Sequence, residues 1–184
     1  GATTLLALLS APLRDRFGVT YHLDFYHPSE MKDILRRSSE LLDISAEEDA
    51  LHLISHRSRR TPRIGNRLLK RVRDYAQVKS DGVLRSQLVD EALHSLEIDT
   101  RGLDESDRRA LRALIEKFNG GPVGLNSIAA SIAEEVETVE EVIEPFLLQK
   151  GLIASTPRGR VATDAAYQHL GYPLPQRQTN IDIG

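Results

Sequence analysis

From Pro28 onward, apolar residues recur mostly three and four positions apart, interrupted by capping residues, prolines and glycines. At Pro28-Ser29, Ser29 can cap a helix running to about Leu42, with Met31, Ile34, Leu35 and Leu41 as its apolar positions. Ser45-Ala46-Glu47-Glu48 reads as a capping box, and Leu51, Leu53 and Ile54 follow it on a second helix. Thr61-Pro62 opens a third: Thr61 offers an N-cap oxygen, and Pro62 stands at N1, where its missing N–H costs nothing. That helix carries Ile64, Leu68, Leu69, Val72, Tyr75 and Ala76, and is expected to end near Lys79, before Gly82. Ser86 caps a fourth helix through Leu96. Four helices in about seventy residues, joined by short connections, predict a small bundle.

Beyond Gly102 the pattern changes. Asp104-x-x-Asp107 caps a helix with Leu111, Leu114, Ile115 and Phe118 on one face, closed by Gly120-Gly121. Pro122-Val123-Gly124 turns into a short helix capped by Asn126, with Ile128, Ala129, Ile132 and Ala133 inside. Thr138-x-x-Glu141 reads as a further capping box, opening a helix with Val139, Val142, Ile143, Phe146 and Leu147. Pro145 within it predicts a bend, and Gly151 its end. Two short strands, Leu152–Ala154 and Arg160–Ala162, flank the turn Thr156-Pro157-Arg158-Gly159, and Thr163 caps a last helix to Leu170. Three helices followed by a hairpin is the order of a winged helix-turn-helix. The tail from Pro173 is expected to be flexible.

Ahead of Pro28, GATTLLALLS is apolar but has no basic stretch before it, so it reads as the edge of a core rather than a signal peptide. Next, Ala11-Pro12-Leu13-Arg14-Asp15-Arg16-Phe17-Gly18 predicts a short Pro-started helix that ends at Gly18, followed by an apolar and aromatic run from Val19 to Tyr26. Two arginines at such a corner can face a neighbour's phosphates, because guanidinium meets phosphate oxygens in a fork geometry; surface arginines on a solvated turn are the plainer reading.

Composition narrows the function classes. With 40% hydrophobic and 28% charged residues among 184, the chain is of ordinary globular type, and no apolar run reaches the length of a membrane span. Zero cysteines exclude disulfides and thiolate metal sites and fit a reducing cytoplasm. A net charge of −3 gives no global pull toward nucleic acid, so polyanion binding needs local clusters. The run from Arg57 to Arg73 holds Arg57, Arg59, Arg60, Arg63, Arg67, Lys70, Arg71 and Arg73, most of them expected on a solvated face. Arg63 differs: it sits in the first turn after the Thr-Pro start, where free N–H groups and the helix dipole also favour an anion. In TPRGR, Pro157 and Gly159 shape a turn that would present Arg158 and Arg160 together at a wing tip, suited to DNA phosphate or minor groove. The segment Val139–Lys150, in the recognition-helix position, is acidic and apolar, so DNA contact should follow backbone rather than base sequence. The six histidines show no metal-ligand spacing, and G-x-x-x-x-G-K-[ST] does not occur in the sequence.

GATT (1–4), SAPLRDRFG (10–18), TPRIGNRLLKRVRDYAQV (61–78), GGPVGL (120–125), EPFLLQKG (144–151) and TPRGRVAT (156–163), in this order, resemble the C-terminal half of the RuvB family, hexameric AAA+ motors of Holliday-junction branch migration. The resemblance implies a mainly α fold in four parts. Residues 1–27 would be the remnant of the α/β AAA+ large domain, 28–101 the four-helix lid, 102–172 the C-terminal winged helix, and 173–184 the tail. It implies that Arg16 is an arginine finger acting in trans and Thr4 the sensor 1 residue. Arg63 would be sensor 2, with Tyr26 near the adenine nucleotide and Arg14 as local support. Arg160 and Arg158 would contact DNA. It further implies ATP with Mg2+, a homo-hexamer, RuvA as partner with RuvC in the resolving complex, and a cytoplasmic place. Walker A and Walker B would belong to a segment ahead of Gly1, leaving this chain inactive alone. Leu5-Leu6-Ala7 departs from the family's arginine and small-residue turn, while Val136 and Ser155 stand where relatives often carry basic residues, which weakens the expected grip on DNA. A winged-helix regulator with a helical dimerisation domain, and an origin or clamp-loading AAA+ protein, are the rival readings. The first gives Arg16 and Arg63 no task, and the second does not require TPRGR or GGPVGL.

Overall fold

A computed structural model describes residues 9–19, 21 and 23–175. Its first element, α1 (Ala11–Arg14), is one turn with Pro12 near its start, and it is extended by a bond from Phe17 N to Arg14 O (3.0 Å). The strand-like run that follows stays open: Val19, Tyr21 and Leu23 are 65, 81 and 92% exposed, so among the described residues this edge has no sheet to join.

The bundle comprises α2 (Pro28–Leu41), α3 (Glu48–Arg57), α4 (Pro62–Lys79) and α5 (Ser86–Ser95). Leu35, Leu51, Ile54, Leu69, Val72, Leu84, Val89 and Leu93 fill its centre, all buried. Burying a side chain of this size contributes about 1.5–3 kcal/mol each, which is what holds helices of ten to eighteen residues together. Gly65 lets α4 approach α2: a Cβ there would meet Met31 Cε at 2.9 Å and Leu35 Cδ2 at 3.3 Å.

Several helix starts differ from expectation. α2 begins at Pro28 with His27 as N-cap, whose N–H donates to Glu30 Oε2 (2.7 Å), so Ser29 is inside the first turn. Ser45 does not cap α3. Residues 45–47 instead pair with Leu84, through Leu84 N to Ser45 O (2.8 Å) and Glu47 N to Leu84 O (2.9 Å), and Glu47 takes the N-cap position. Thr61 is the N-cap of α4, but its hydroxyl donates to Arg59 O (3.1 Å) rather than receiving a helix N–H. Likewise Arg85, not Ser86, stands at the cap of α5.

A second core holds Leu103, Leu111, Leu114, Ile128, Ile143, Phe146, Leu147, Leu152 and Ala166. It is built from α6 (Glu105–Arg112, continued by a π turn over Ala113–Lys117), α7 (Leu125–Ile132), α8 (Val136–Thr138), a π turn over Val139–Ile143, α9 (Glu144–Gln149), the hairpin β1 (Ile153–Thr156) and β2 (Gly159–Ala162), and α10 (Asp164–Leu170). The Asp104–Asp107 capping box is present as read. Asn126 and Thr138 are not caps: α7 already starts at Leu125 with Gly124 as its N-cap, and after left-handed Ala133 (φ 55°) ends it the next helix starts at Val136 with Glu135 as its N-cap. The bend expected at Pro145 takes the form of a wide π turn just before it, where the missing N–H does least harm. GGPVGL lies against the two-stranded wing through a single antiparallel bridge. Val123 exchanges two backbone bonds with Arg160 (3.0 and 2.8 Å), and Ala162 N donates to Gly120 O (2.9 Å). Gly159 is required there, since a Cβ would lie 2.5 Å from Val123 O at a φ of 135°.

Candidate functional site: the arginines of the bundle entrance and the wing

Arg57 to Arg63 leave α3, turn, and enter α4, with Arg59 and Arg60 both left-handed (φ 54° and 55°). Two consecutive non-glycine residues in that region cost about 1–2 kcal/mol each, so their surroundings must hold them. They send their side chains to different bodies. Arg60 donates from Nε to Tyr26 O (2.7 Å) and from Nη2 to Phe25 O (3.1 Å), tying the segment ahead of α2 to the start of α4. Arg59 crosses to the winged helix: its Nη2 lies 2.6 Å from both Asp104 Oδ2 and Asp107 Oδ2, and its Cζ sits 4.2 Å from the centre of the Phe146 ring. Arg57, buried, donates to Asp90 Oδ1 (2.6 Å) inside the bundle.

Two residues on, Arg63 is exposed in the first turn of α4 and makes no side-chain hydrogen bond or ion pair among the described residues. Tyr26, 44% exposed, is held at the same entrance by the Arg60 bracket. Arg14 and Arg16 are exposed at the α1 corner, also without side-chain partners among the described residues, and the structure gives no bond that joins them to Arg63 or Tyr26. Thr4 and Leu5-Leu6-Ala7 lie outside the described residues, as does the tail from Gln176.

The wing separates its two arginines. Thr156 pairs with Gly159, so Pro157 and Arg158 form the two-residue turn, and Arg158 is exposed at its tip. Arg160 points back from β2 instead: its Nε donates to Glu144 Oε1 at 2.6 Å and its Nη2 to Glu144 Oε2 at 3.3 Å, with Glu144 buried. The pair fixes the guanidinium and leaves Nη1 to donate elsewhere. The two arginines are therefore not presented together.

Asp107 is the most perturbed carboxyl. Burial pushes it up to about 7 against the pull of Arg59, and neighbouring Asp104 adds to the rise. Its Oδ1 has no partner, which suits a proton there. At the other end, Glu48 is held down to about 2 by hydrogen bonds from Arg36 and then Lys32. Sequence reading pointed to Arg63 and the wing but not to Arg59, Arg60 or Glu144. The string RSRRTPR showed the charges, and only the fold shows which body each one reaches. Among the described residues no group of histidine and carboxylate side chains is disposed to hold a metal ion, and no helix is long and apolar enough to cross a membrane.

Residues 26–99 match the RuvB AAA lid domain model, and residues 100–171 the RuvB C-terminal winged helix domain model. The Holliday junction branch migration complex subunit RuvB of Dehalococcoides mccartyi is 54% identical over 180 residues, covering 98% of this chain and 52% of that protein. Its counterpart from Streptomyces avermitilis is 56% identical over 179 residues, 97% of this chain and 50% of that protein. The chain thus spans about half the length of the curated relatives it matches. In structure, the RuvB Holliday junction branch migration motor of Thermotoga maritima superposes with a TM-score of 0.86 at 50% identity, over 92% of this chain and 57% of that one. A RuvB lid followed directly by a RuvB winged helix, at about half identity throughout, distinguishes the chain from winged-helix regulators and from other lid-bearing AAA+ proteins: it belongs to the RuvB family.

Proposed function

We propose that this chain is the nucleotide-sensing and DNA-contacting part of an ATP-driven motor that moves Holliday junctions in recombination and repair. The observation that carries this reading is the entrance of α4. Arg63 stands there without a counter-ion among the described residues, beside free helix N–H groups and an Arg60 bracket that fixes Tyr26. ATP is the polyanion whose phosphates such an entrance fits. It supplies the phosphoryl group whose transfer drives the motor. ATP would bring its Mg2+, a cation held mainly by phosphate oxygens and water with one or two carboxylates, and no role argued here depends on the ion.

The parts are residues 1–27 as the end of the AAA+ large domain, 28–101 as the lid, 102–172 as the winged helix and 173–184 as the tail. Arg63 senses the phosphates as sensor 2, Tyr26 lies by the base, and Thr4 is sensor 1. Arg16 reaches a neighbouring subunit's ATP, where a guanidinium offsets charge that develops during phosphoryl transfer, and Arg14 supports that corner. Arg158 grips the DNA backbone from the wing tip, while Arg160, turned back onto Glu144, keeps Nη1 for the DNA at a separate point of the wing. Function then requires a ring of six subunits, with RuvA as partner and RuvC in the resolving complex, in the cytoplasm.

Joined to the ATP-binding half of Thermotoga maritima RuvB, the chain should hydrolyse ATP and move junctions. Arg16→Ala in that chimera should abolish hydrolysis and spare nucleotide binding. Hydrolysis that survives Arg16→Ala would remove the finger assignment.

A further inference from the structure

In the segment that joins the bundle to the winged helix, a hydrogen-bond donor is buried with nothing to receive it. Arg101 lies in the connection between Asp99 and Gly102, and its Nη1 is shut off from water without an acceptor. Lys150, just past the end of α9, is half-buried, with its Nζ 5.5 Å from the centre of the Phe146 ring that Arg59 also covers, and it has no ion pair among the described residues.

The carboxylates around them are engaged. Asp99 Oδ1 accepts N–H from Arg101 and Leu103, both at 2.9 Å, and its Oδ2 lies 2.7 Å from His169 Nε2. Asp104 and Asp107 take Arg59. At the rim, the exposed rings of His52 and His56 stand 4.3 Å apart. Burial, then Arg101, Arg59 and Arg60, push the Lys150 ammonium below its ordinary range, and only Asp99 works against them. His56 is lowered by burial, His52 and Lys150. A buried donor without an acceptor is costly, and a half-buried cation without an anion more so; such groups persist where a ligand brings the missing oxygens.

We propose that Arg101 and Lys150 form a binding site for a phosphate oxyanion, rimmed by His52 and His56. Two positive charges, one of them carrying a buried N–H without an acceptor, suit a phosphate's several acceptor oxygens. Two sources carry that group, a phosphodiester of duplex DNA and the phosphates of a nucleotide; only the first rests on the DNA-contact reading above.

Inorganic phosphate titrated into the isotope-labelled 184-residue chain, with chloride holding ionic strength constant, should shift the His56 ring signals along one saturating curve and raise the His56 pKa. Arg101→Met and Lys150→Met should each weaken that binding about tenfold or more, the loss expected when a charge-assisted hydrogen bond is removed. Lys79→Met, which removes an exposed cation at the end of α4, should leave it unchanged. Arg101→Met should also raise the melting midpoint in chloride while losing the phosphate-dependent gain, a pair of effects that a purely structural arginine would not produce. Displacement of bound phosphate by a duplex of arbitrary sequence assigns the diester, and displacement by ATP alone assigns the nucleotide. A shift that never saturates, full affinity in both methionine variants, or displacement by neither competitor overturns the proposal. Saturable phosphate binding in a chain whose DNA affinity ignores Arg158→Ala would instead count against the wing reading alone.

Discussion

Replacing Arg59 by methionine should produce a loss of stability that grows with pH. The side chain is 13% exposed and touches Asp107, which is 0% exposed, so the substitution leaves a buried carboxyl without its cation. Methionine keeps the stem over Phe146 and the same left-handed backbone, so those contributions largely cancel. At pH 5.5 Asp107 is protonated in both proteins. The loss is then the hydrogen bonds to Asp104 and Asp107 and the cation–ring contact, together about 2–3 kcal/mol. Asp107 titrates at about 7 in the folded chain against an ordinary value of 3.8. A carboxyl raised on folding holds its proton more tightly in the folded form, so stability falls as pH climbs from the unfolded to the folded value, then levels off. Without Arg59 the folded value moves higher still, and the fall continues above pH 7 at about 1.4 kcal/mol per pH unit. Glu48, held down to about 2, titrates below this window and does not interfere. Urea unfolding followed by circular dichroism at pH 5.5 and 8.5, with equal slopes for both proteins, measures the difference. A destabilisation identical at the two pH values would show that Asp107 does not titrate against Arg59 in this window.

The wing makes two further predictions. Gly159→Ala places a Cβ 2.5 Å from Val123 O at a backbone angle L residues rarely adopt, so it should cost about 3 kcal/mol or more in unfolding free energy, and a change under about 0.5 kcal/mol would contradict the close approach. Arg158→Ala should lower DNA affinity to a similar degree on unrelated duplexes and flatten the salt dependence by about one phosphate contact, as read by fluorescence anisotropy at several salt concentrations; a loss confined to one sequence would contradict backbone contact.

The apolar periodicity carried most of this architecture. Both cores and the hairpin follow from residues such as Leu69, Val72, Leu111 and Ile143 at their spacings. What it missed were contacts made across the sequence. Ser45 looked like a cap because the string fits the box, but residues 45–47 have a better partner in Leu84, some forty residues away. Thr138 looked like a cap because nothing local announces that Ala133 turns left-handed and ends α7 early. In the candidate site, Arg63 was legible from the Thr-Pro start of its helix, a local signal. The division of labour among Arg57, Arg59 and Arg60 was not, since their partners Asp90, Asp104, Asp107 and Tyr26 come together only in three dimensions. Arg160 was read as an exposed wing arginine because its counter-ion, Glu144, is sixteen residues upstream.

Whether Arg16 completes a neighbour's ATP site is tested most directly by mixing subunits. One chimera of this chain with the Thermotoga maritima ATP-binding half carries Arg16→Ala and binds ATP. A second keeps Arg16 but has its phosphate loop disabled. Neither should hydrolyse ATP alone, and the mixture should recover hydrolysis well above the sum of the two, because an intact arginine from one subunit reaches ATP held by the other. A mixture no more active than the sum of its parts would contradict the account.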